Sequence, residues 1–387
     1  QTFFLPAIYN GPGPTGPGST GPGATGGSPT ADITISAGGF HNCVLTSSDG
    51  VKCWGENVYG QLGDSTTDWR NAPVDVLGLT SGVKAVTTGV GHTCALTSEG
   101  GVKCWGWNIS GQLGDDAGGW NQSTPVDVAG LSSGVTAIAA GGMHTCALMS
   151  TGGVKCWGEN VYGQLGDGGS IEQHMPVDVV GLSSGVTAIA AGGMHTCALT
   201  SSGGVQCWGY NDYGQLGDGA TTSSSTPVDV TGLSSGVMAL AAGENHTCAL
   251  TSGGGVKCWG YNQYGQLGDG SDDERPAPVD VTGLASGVTA IAAGGMHTCA
   301  LTTAGGVKCW GENNFNELGD AAGIEQYTPA DVMDLSSGAT AISAGWKHTC
   351  ATTSSNEVKC WGANDYGQLG NGVTPNMEAP VSVVGFP

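Results

Sequence analysis

The sequence predicts an all-β, seven-bladed β-propeller with an extended N-terminal arm, and three observations carry that prediction. One sentence of about 51 residues is written seven times between residues 31 and 387, and self-similarity at such a period marks propellers or solenoids. Each copy holds two cysteines spaced by ten. Glycine supplies 72 of the 387 residues and charged residues only 11%, which disfavours helix interiors because glycine has the most conformational freedom to lose. An all-helical bundle is excluded, and the apolar runs are far shorter than the roughly 18 to 20 residues a transmembrane helix needs.

In the fourth copy the sentence runs VTAIAAGG (Val186 to Gly193), MHTCALTS, GGVQCWGYN, DYGQLGDG, a variable stretch, and PVDVTGL ending at Leu233. Its β-branched, alternating segments are separated by Gly, Ser and Asp clusters that mark turns, so four short strands per copy are expected. Four such strands bury too little apolar surface to stand alone, and the copies must pack on one another, radially or as a linear solenoid. An open solenoid needs polar capping versions of its terminal repeats, which are absent here, and seven lies within the usual range of blade numbers. A closed ring is the consistent choice. The segment Ile33 to Gly39 matches the first strand of each copy, and it is expected either to open blade 1 or to close the ring beside Pro380 to Val384.

The cysteines pair by position: Cys43 with Cys53, Cys94 with Cys104, Cys146 with Cys156, Cys197 with Cys207, Cys248 with Cys258, Cys299 with Cys309 and Cys350 with Cys360. With a turn near Ser98 to Gly101, Cys94 and Cys104 fall opposite each other on antiparallel strands, as do Leu96 and Val102. One cross-strand disulfide per blade follows. Fourteen cysteines this regular point to an oxidising, extracellular compartment. No leader precedes Gln1, so the chain is expected to be the processed form or to lack its signal. Ten basic against 32 acidic side chains give a net charge of −22, which repels phosphate backbones and disfavours nucleic-acid partners.

The phrases HTCALTS, VKCWG and YGQLGDG at this period resemble the regulator of chromosome condensation repeat family over residues 31 to 387. The resemblance implies a seven-bladed propeller, and the family's functions are broad enough that the fold names none of them. One branch promotes nucleotide exchange on a nuclear GTPase at chromatin, a role that acidity and disulfides oppose. A plant ultraviolet-B receptor branch uses repeated Gly-Trp-Arg-His-Thr motifs; here the motif stands once, altered, at Gly345 to Thr349. A secreted branch inhibits β-lactamases through one face of the ring, and this branch matches the compartment.

A catalytic group is needed once, a structural group in every blade. By that logic His41, His92, His144, His195, His246, His297 and His348, and the repeat tryptophans Trp54, Trp105, Trp157, Trp208, Trp259, Trp310 and Trp361, are expected to pack the blades, with each tryptophan pointing away from its neighbouring cysteine toward the adjoining blade. His174 is expected in a solvated variable loop near Glu172. Asp64, Asp115, Asp167, Asp218, Asp269 and Asp320, with Asn371 in the last copy, are expected to satisfy their own turns rather than bind calcium, and Asp272, Asp273 and Glu274 to be solvated. No nucleophile elbow, phosphate loop, dinucleotide fingerprint or metalloprotease helix occurs, so neither an enzyme, a cofactor nor a metal is expected.

Seven stretches escape the consensus: 65–72, 116–124, 168–175, 219–226, 270–278, 321–328 and 371–379. All fall between the same two strands, hence on one face, where binding specificity is expected. Trp69 and Trp120 occupy equivalent loops on adjacent blades, and with Trp107 they form a candidate contact patch. Trp346 is the fourth tryptophan outside the repeat frame.

Residues 1–30 stand outside the repeat. Pentapeptides GPGPT, GPGST, GPGAT and GGSPT follow Asn10 and suit an extended linker, with Thr15, Thr20, Thr25 and Thr30 as candidate O-glycan acceptors. Ahead of it, Phe3, Phe4, Leu5, Ile8 and Tyr9 form an uncharged apolar head suited to docking on another subunit. The leading expectation is therefore a secreted, non-enzymatic structural protein that self-assembles through its arm into a filament or surface layer. The alternative is a secreted module that binds a protein or glycan through the variable loops, with the arm as spacer.

Overall fold

The computed structural model describes residues 33–386. They form seven four-stranded antiparallel sheets, each with its strands in chain order. Blade 1 consists of β1 (Thr34–Ala37), β2 (His41–Leu45), β3 (Val51–Gly55) and β4 (Arg70–Asp75), and blade 7 of β25 (Ala339–Ala344), β26 (His348–Thr353), β27 (Val358–Gly362) and β28 (Met377–Ser382). Blades therefore coincide with sequence repeats. Ile33 to Gly39 opens blade 1, and among the described residues no strand is exchanged between the first and last blades.

First strands line the centre of the ring, where each packs on the first strands of its neighbours. Within a blade the strands alternate in direction, so the turn between the first and second strands shares a face with the connection between the third and fourth. The Glu56 amide donating to the Phe40 carbonyl at 2.9 Å marks that loop face. On the opposite, hairpin face, the link into blade 2 is tied to the hairpin of blade 1 by the Val83 amide donating to the Asp49 carbonyl at 2.9 Å.

Disulfides join each second strand to the third, in the pairing the spacing predicts. Cys94 and Cys104 are direct cross-strand partners with Cα atoms 4.1 Å apart. The same bridge, on the same register, joins Cys43 to Cys53 in blade 1, Cys146 to Cys156 in blade 3 and Cys197 to Cys207 in blade 4. It joins Cys248 to Cys258 in blade 5, Cys299 to Cys309 in blade 6 and Cys350 to Cys360 in blade 7. Each bridge packs against the tryptophan of the following blade. Cys146 and Cys156, for example, share a buried cluster with Trp208 of blade 4, as Cys248 and Cys258 do with Trp310 of blade 6. Alternation dictates this, because adjacent Cys and Trp on one strand must point to opposite sides of the sheet. A buried tryptophan removes about 150–250 Å² from water, roughly 4–6 kcal/mol at ~25 cal/mol per Å². These seven fully buried rings are the largest side chains of the core, which Val, Leu, Ile and Ala complete in each blade.

A circle of hydrogen bonds ties the seven blades together. His92 Nε2 lies 2.9 Å from Thr145 Oγ1, Thr145 Oγ1 donates to the Gln112 carbonyl at 2.9 Å, and Trp157 Nε1 donates to that same carbonyl at 2.9 Å. Because the threonine hydroxyl spends its single proton on the carbonyl, it can only accept from the imidazole. Each histidine is thus the neutral tautomer protonated at Nε2. Burial pushes the imidazoles down to about 3, and to about 4 for His144. Their rings need room as well: a Cβ on Gly38 would stand 2.9 Å from His41 Nδ1.

The circle closes between blades 7 and 1 with one substitution of parts. Asn42 stands where the other blades have threonine: its Oδ1 accepts from His348 Nε2 at 2.9 Å, and its Nδ2 donates to the Gln368 carbonyl at 2.6 Å. Trp54 Nε1 donates to that carbonyl at 2.9 Å. An amide divides between two atoms the accepting and donating that a hydroxyl performs with one. Ile33, Ile35, Val44 and Trp54 then complete a shared core with Cys350, Cys360, Val358, Leu369 and Val383.

Candidate functional site

The long connection between the third and fourth strands dominates the loop face, and one asparagine per blade builds it. Asn57 Oδ1 accepts from the Leu62 amide at 2.9 Å, while its Nδ2 donates to the carbonyls of Thr66 at 3.2 Å and Asp68 at 3.0 Å. Asn108 holds the Trp120 carbonyl at 3.1 Å and Asn160 the Ile171 carbonyl at 3.1 Å. Asn211, Asn262, Asn313 and Asn364 act in the same way. All seven are buried, and they grip main-chain carbonyls, which every residue type supplies. Loop backbones are therefore fixed while their side chains are free to differ. Each copy carries this asparagine two residues beyond the Trp-Gly of its third strand, where it looks like an ordinary turn residue.

The Leu-Gly-Asp carboxylates complete the same turns. Asp64 Oδ1 accepts from the Thr66 amide at 3.0 Å, its Oδ2 from Arg70 Nη2 at 2.7 Å, and these bonds hold its carboxyl below the usual range against the opposing effect of burial. Asp115, Asp167, Asp218, Asp269 and Asp320, and Asn371, accept from the amide two residues on. They serve their own turns, and among the described residues no group of three or more His, Cys, Asp or Glu is arranged to hold a metal.

Expected site residues divide three ways. Trp120 is 75% exposed and Trp69 51%, the latter resting edge-on against Tyr366 at 4.8 Å. Trp107 is half-buried and stacks on Tyr59 at 4.8 Å, so it packs the seam between blades 1 and 2. Trp346 packs on Phe40 at 4.9 Å across the seam between blades 7 and 1. Phe3, Phe4, Leu5, Ile8, Tyr9, Thr15, Thr20, Thr25 and Thr30 lie outside the described residues.

His174 corrects an expectation. Rather than sitting in a loop, it lies in β12 (Gln173–Asp178), the outer strand of blade 3, where its ring covers Gly111 of blade 2. Its Nε2 is 3.4 Å from Glu172 Oε1. The variable stretch simply runs on into the strand: Asn71, Ser123, Ser225, Pro276 and Tyr327 cover the equivalent glycines of other blades, and this shape contact tolerates any of them.

A surface feature missed in the sequence joins the two exposed tryptophans. Val58, Ile109 and Val161 hold one equivalent position in blades 1, 2 and 3, and all are exposed; blades 4 to 7 carry Asp212, Gln263, Asn314 and Asp365 there, also exposed. Ile171, 73% exposed, and the exposed Met175 extend the patch on blade 3. Adjoining connections are bonded edge to edge, as by the Ser65 amide to the Ser123 carbonyl at 3.0 Å. One sector of the loop face thus clusters its apolar side chains into an arc, whereas the connections of blades 6 and 7 expose Ile324 and Val373 singly.

A different departure from the repeat lies on blades 5 to 7. Glu317 replaces the glutamine of the other six copies and is fully buried. Its Oε2 accepts from the Phe315 amide at 2.7 Å, and its Oε1 has no partner among the described residues. Burial raises this carboxyl to about 8, and that of Glu244 to about 8. Lys347 Nζ sits over the Phe315 ring at 3.9 Å.

Comparison with known proteins agrees with this architecture. The model described as RCC1-like domain matches residues 122–387, and the regulator of chromosome condensation (RCC1) repeat matches residues 33–61 and 83–112 and residues 50–96. The ultraviolet-B receptor UVR8 of Arabidopsis thaliana is 33% identical over 91% of this chain and 81% of its own length. The E3 ubiquitin-protein ligase HERC2 of Homo sapiens is 32% identical over 90% of this chain but only 7% of its own length. The crystal structure of human WBSCR16 superposes with a TM-score of 0.74 at 25% identity, covering 86% of this chain and 94% of that one. With its matching models, relatives and seven blades, the chain belongs to the regulator of chromosome condensation (RCC1) repeat family.

Proposed function

We propose that this protein is a secreted, non-enzymatic structural subunit that binds protein through its loop face and self-assembles, by way of its N-terminal arm, into an extracellular filament or surface layer. The observation that carries the reading is the apolar arc of blades 1 to 3, displayed on a rigid backbone, where blades 4 to 7 carry Asp212, Gln263, Asn314 and Asp365 at the Val58 position. Large exposed apolar side chains on fixed supports mark interaction sites, because little ordering entropy opposes their burial. Seven disulfides, with no free cysteine among the described residues, accord with life outside the reducing cytosol. Sedimentation velocity of the full chain over a range of concentration tests it: concentration-dependent growth supports self-assembly, and an unchanging monomer refutes it.

A second reading is a secreted module that binds another protein or glycan through the same face. It is favoured by the diversity of all seven connections, whereas self-assembly requires only one sector.

A further inference from the structure

Resting on the self-assembly reading, we propose that the apolar arc of blades 1 to 3 is the receptor for residues 1–10 of a second copy of this chain, so that copies join head to tail. The arc is built as a receptor would be. Trp120 and Ile171 are the most exposed of its large side chains, yet their own carbonyls are held by buried Asn108 and Asn160; the carbonyl before Trp69 is held by Asn57. The side chains are therefore displayed at set positions instead of on loose loops.

Its chemistry selects the occupant. Contact between two whole loop faces would set Asp212, Asp365 and their neighbours against like charges, in a chain of net charge −22. A narrow uncharged segment avoids that penalty, and residues 1–10, QTFFLPAIYN, hold five large apolar side chains and no charged one. Aromatic and aliphatic anchors seated on exposed tryptophans bury the most area per residue.

Chain direction favours a second copy over the same one. Strand β1 runs toward the Gly38–Phe40 turn on the loop face, so its first residue, Thr34, stands toward the hairpin face. A head reaching its own arc must pass the rim and the full depth of the blade, about 20 Å for six residues at ~3.3 Å each. A copy stacked below presents its arc directly to that hairpin face. Twenty-two residues, 11–32, can span at most about 70 Å, far enough to reach the neighbour. The contact uses two different surfaces, so it propagates unless its rotation closes.

The test uses the full chain in two forms, a head variant (F3D/F4D/L5D) and an arc variant (W69S/W120S/I171S), with a dye-labelled peptide of residues 1–10 as probe. The substituted arc side chains are exposed, and unchanged non-reducing melts confirm the fold. The proposal expects the peptide to bind the head variant and to bind the arc variant at least about tenfold more weakly. Each variant alone should be monomeric, and an equimolar mixture should stop at dimers, since only one head and one arc remain functional. Equal peptide binding to both variants, or no dimer in the mixture, overturns it. If the wild-type chain grows and the arc variant grows equally, self-assembly stands and the receptor is elsewhere. If the wild type stays monomeric and the peptide binds only once the chain's own head is altered, the occupant is the same copy. If the wild type stays monomeric and no variant binds the peptide, both readings fall.

Discussion

Replacing Asn42 with alanine removes two jobs at the closure of the ring. The His348 Nε2 proton loses its acceptor at 2.9 Å, and the Gln368 carbonyl loses a donor at 2.6 Å but keeps Trp54 Nε1 at 2.9 Å. Both Asn42 and His348 are fully buried, so no solvent replaces the acceptor. A buried orphaned donor costs about 1–3 kcal/mol, and the lost side-chain volume adds roughly 1 kcal/mol, giving about 2–4 kcal/mol. At roughly 2.1 cal/mol/K per residue, a ring of this size has an unfolding entropy near 0.7 kcal/mol/K, so Tm should fall by about 3–6 °C in non-reducing calorimetry. Asn42→Thr should recover all but ~1 kcal/mol, because a hydroxyl there accepts from His348 and donates to Gln368 as Thr145 does for His92 and Gln112. A threonine variant as unstable as the alanine variant would refute the assignment of Nε2 as donor.

Four further outcomes follow from the same interior. Seven histidines held at about 3 to 4 when folded, against 6.5 when free, leave the unfolded chain binding more protons in that window, so their contribution is complete above pH ~6.5 and lost as pH falls. Glu56, Glu244 and Glu317, raised to about 7, 8 and 8, act oppositely and weaken the fold as pH rises from ~4.5 to ~8. Urea midpoints should therefore climb from pH 4 to a maximum near 6.5 and then decline; a flat profile below 6.5 contradicts the buried neutral imidazoles. Glu317→Gln, which restores the residue of the other six copies, should stabilise the ring by roughly 3–5 kcal/mol at pH 9 and by much less at pH 5, and equal effects at both pH values would contradict a carboxyl kept neutral by burial. Converting Cys197 and Cys207 together to alanine should cost at most about 3 kcal/mol by loop closure, and less because the hairpin is already local; in the wild-type chain no thiol should react in denaturant until reductant is added.

Strand positions, the disulfides and the direction of each tryptophan were legible in the sequence because they depend on local alternation, and seven copies state them seven times. Ring closure was not. Thr34–Ala37 pairs with β2 rather than β28, and the seam is closed instead by Asn42 meeting Gln368 and His348, residues more than 300 positions away. The buried asparagines from Asn57 to Asn364 were visible in every copy but look like ordinary turn residues until their loop partners are seen. His174 was misplaced because a contact made only by shape, over Gly111, leaves no sequence pattern. The apolar arc was hidden in a similar way: Val58, Ile109 and Val161 are single apolar residues in polar surroundings, and only the ring sets them side by side.

Electron microscopy of the full chain beside its F3D/F4D/L5D variant tests the central claim most directly. The account predicts long filaments of rings stacked with one polarity from the wild-type chain and isolated rings from the variant. Isolated rings from both, at every concentration tried, would contradict a structural polymer built by the arm.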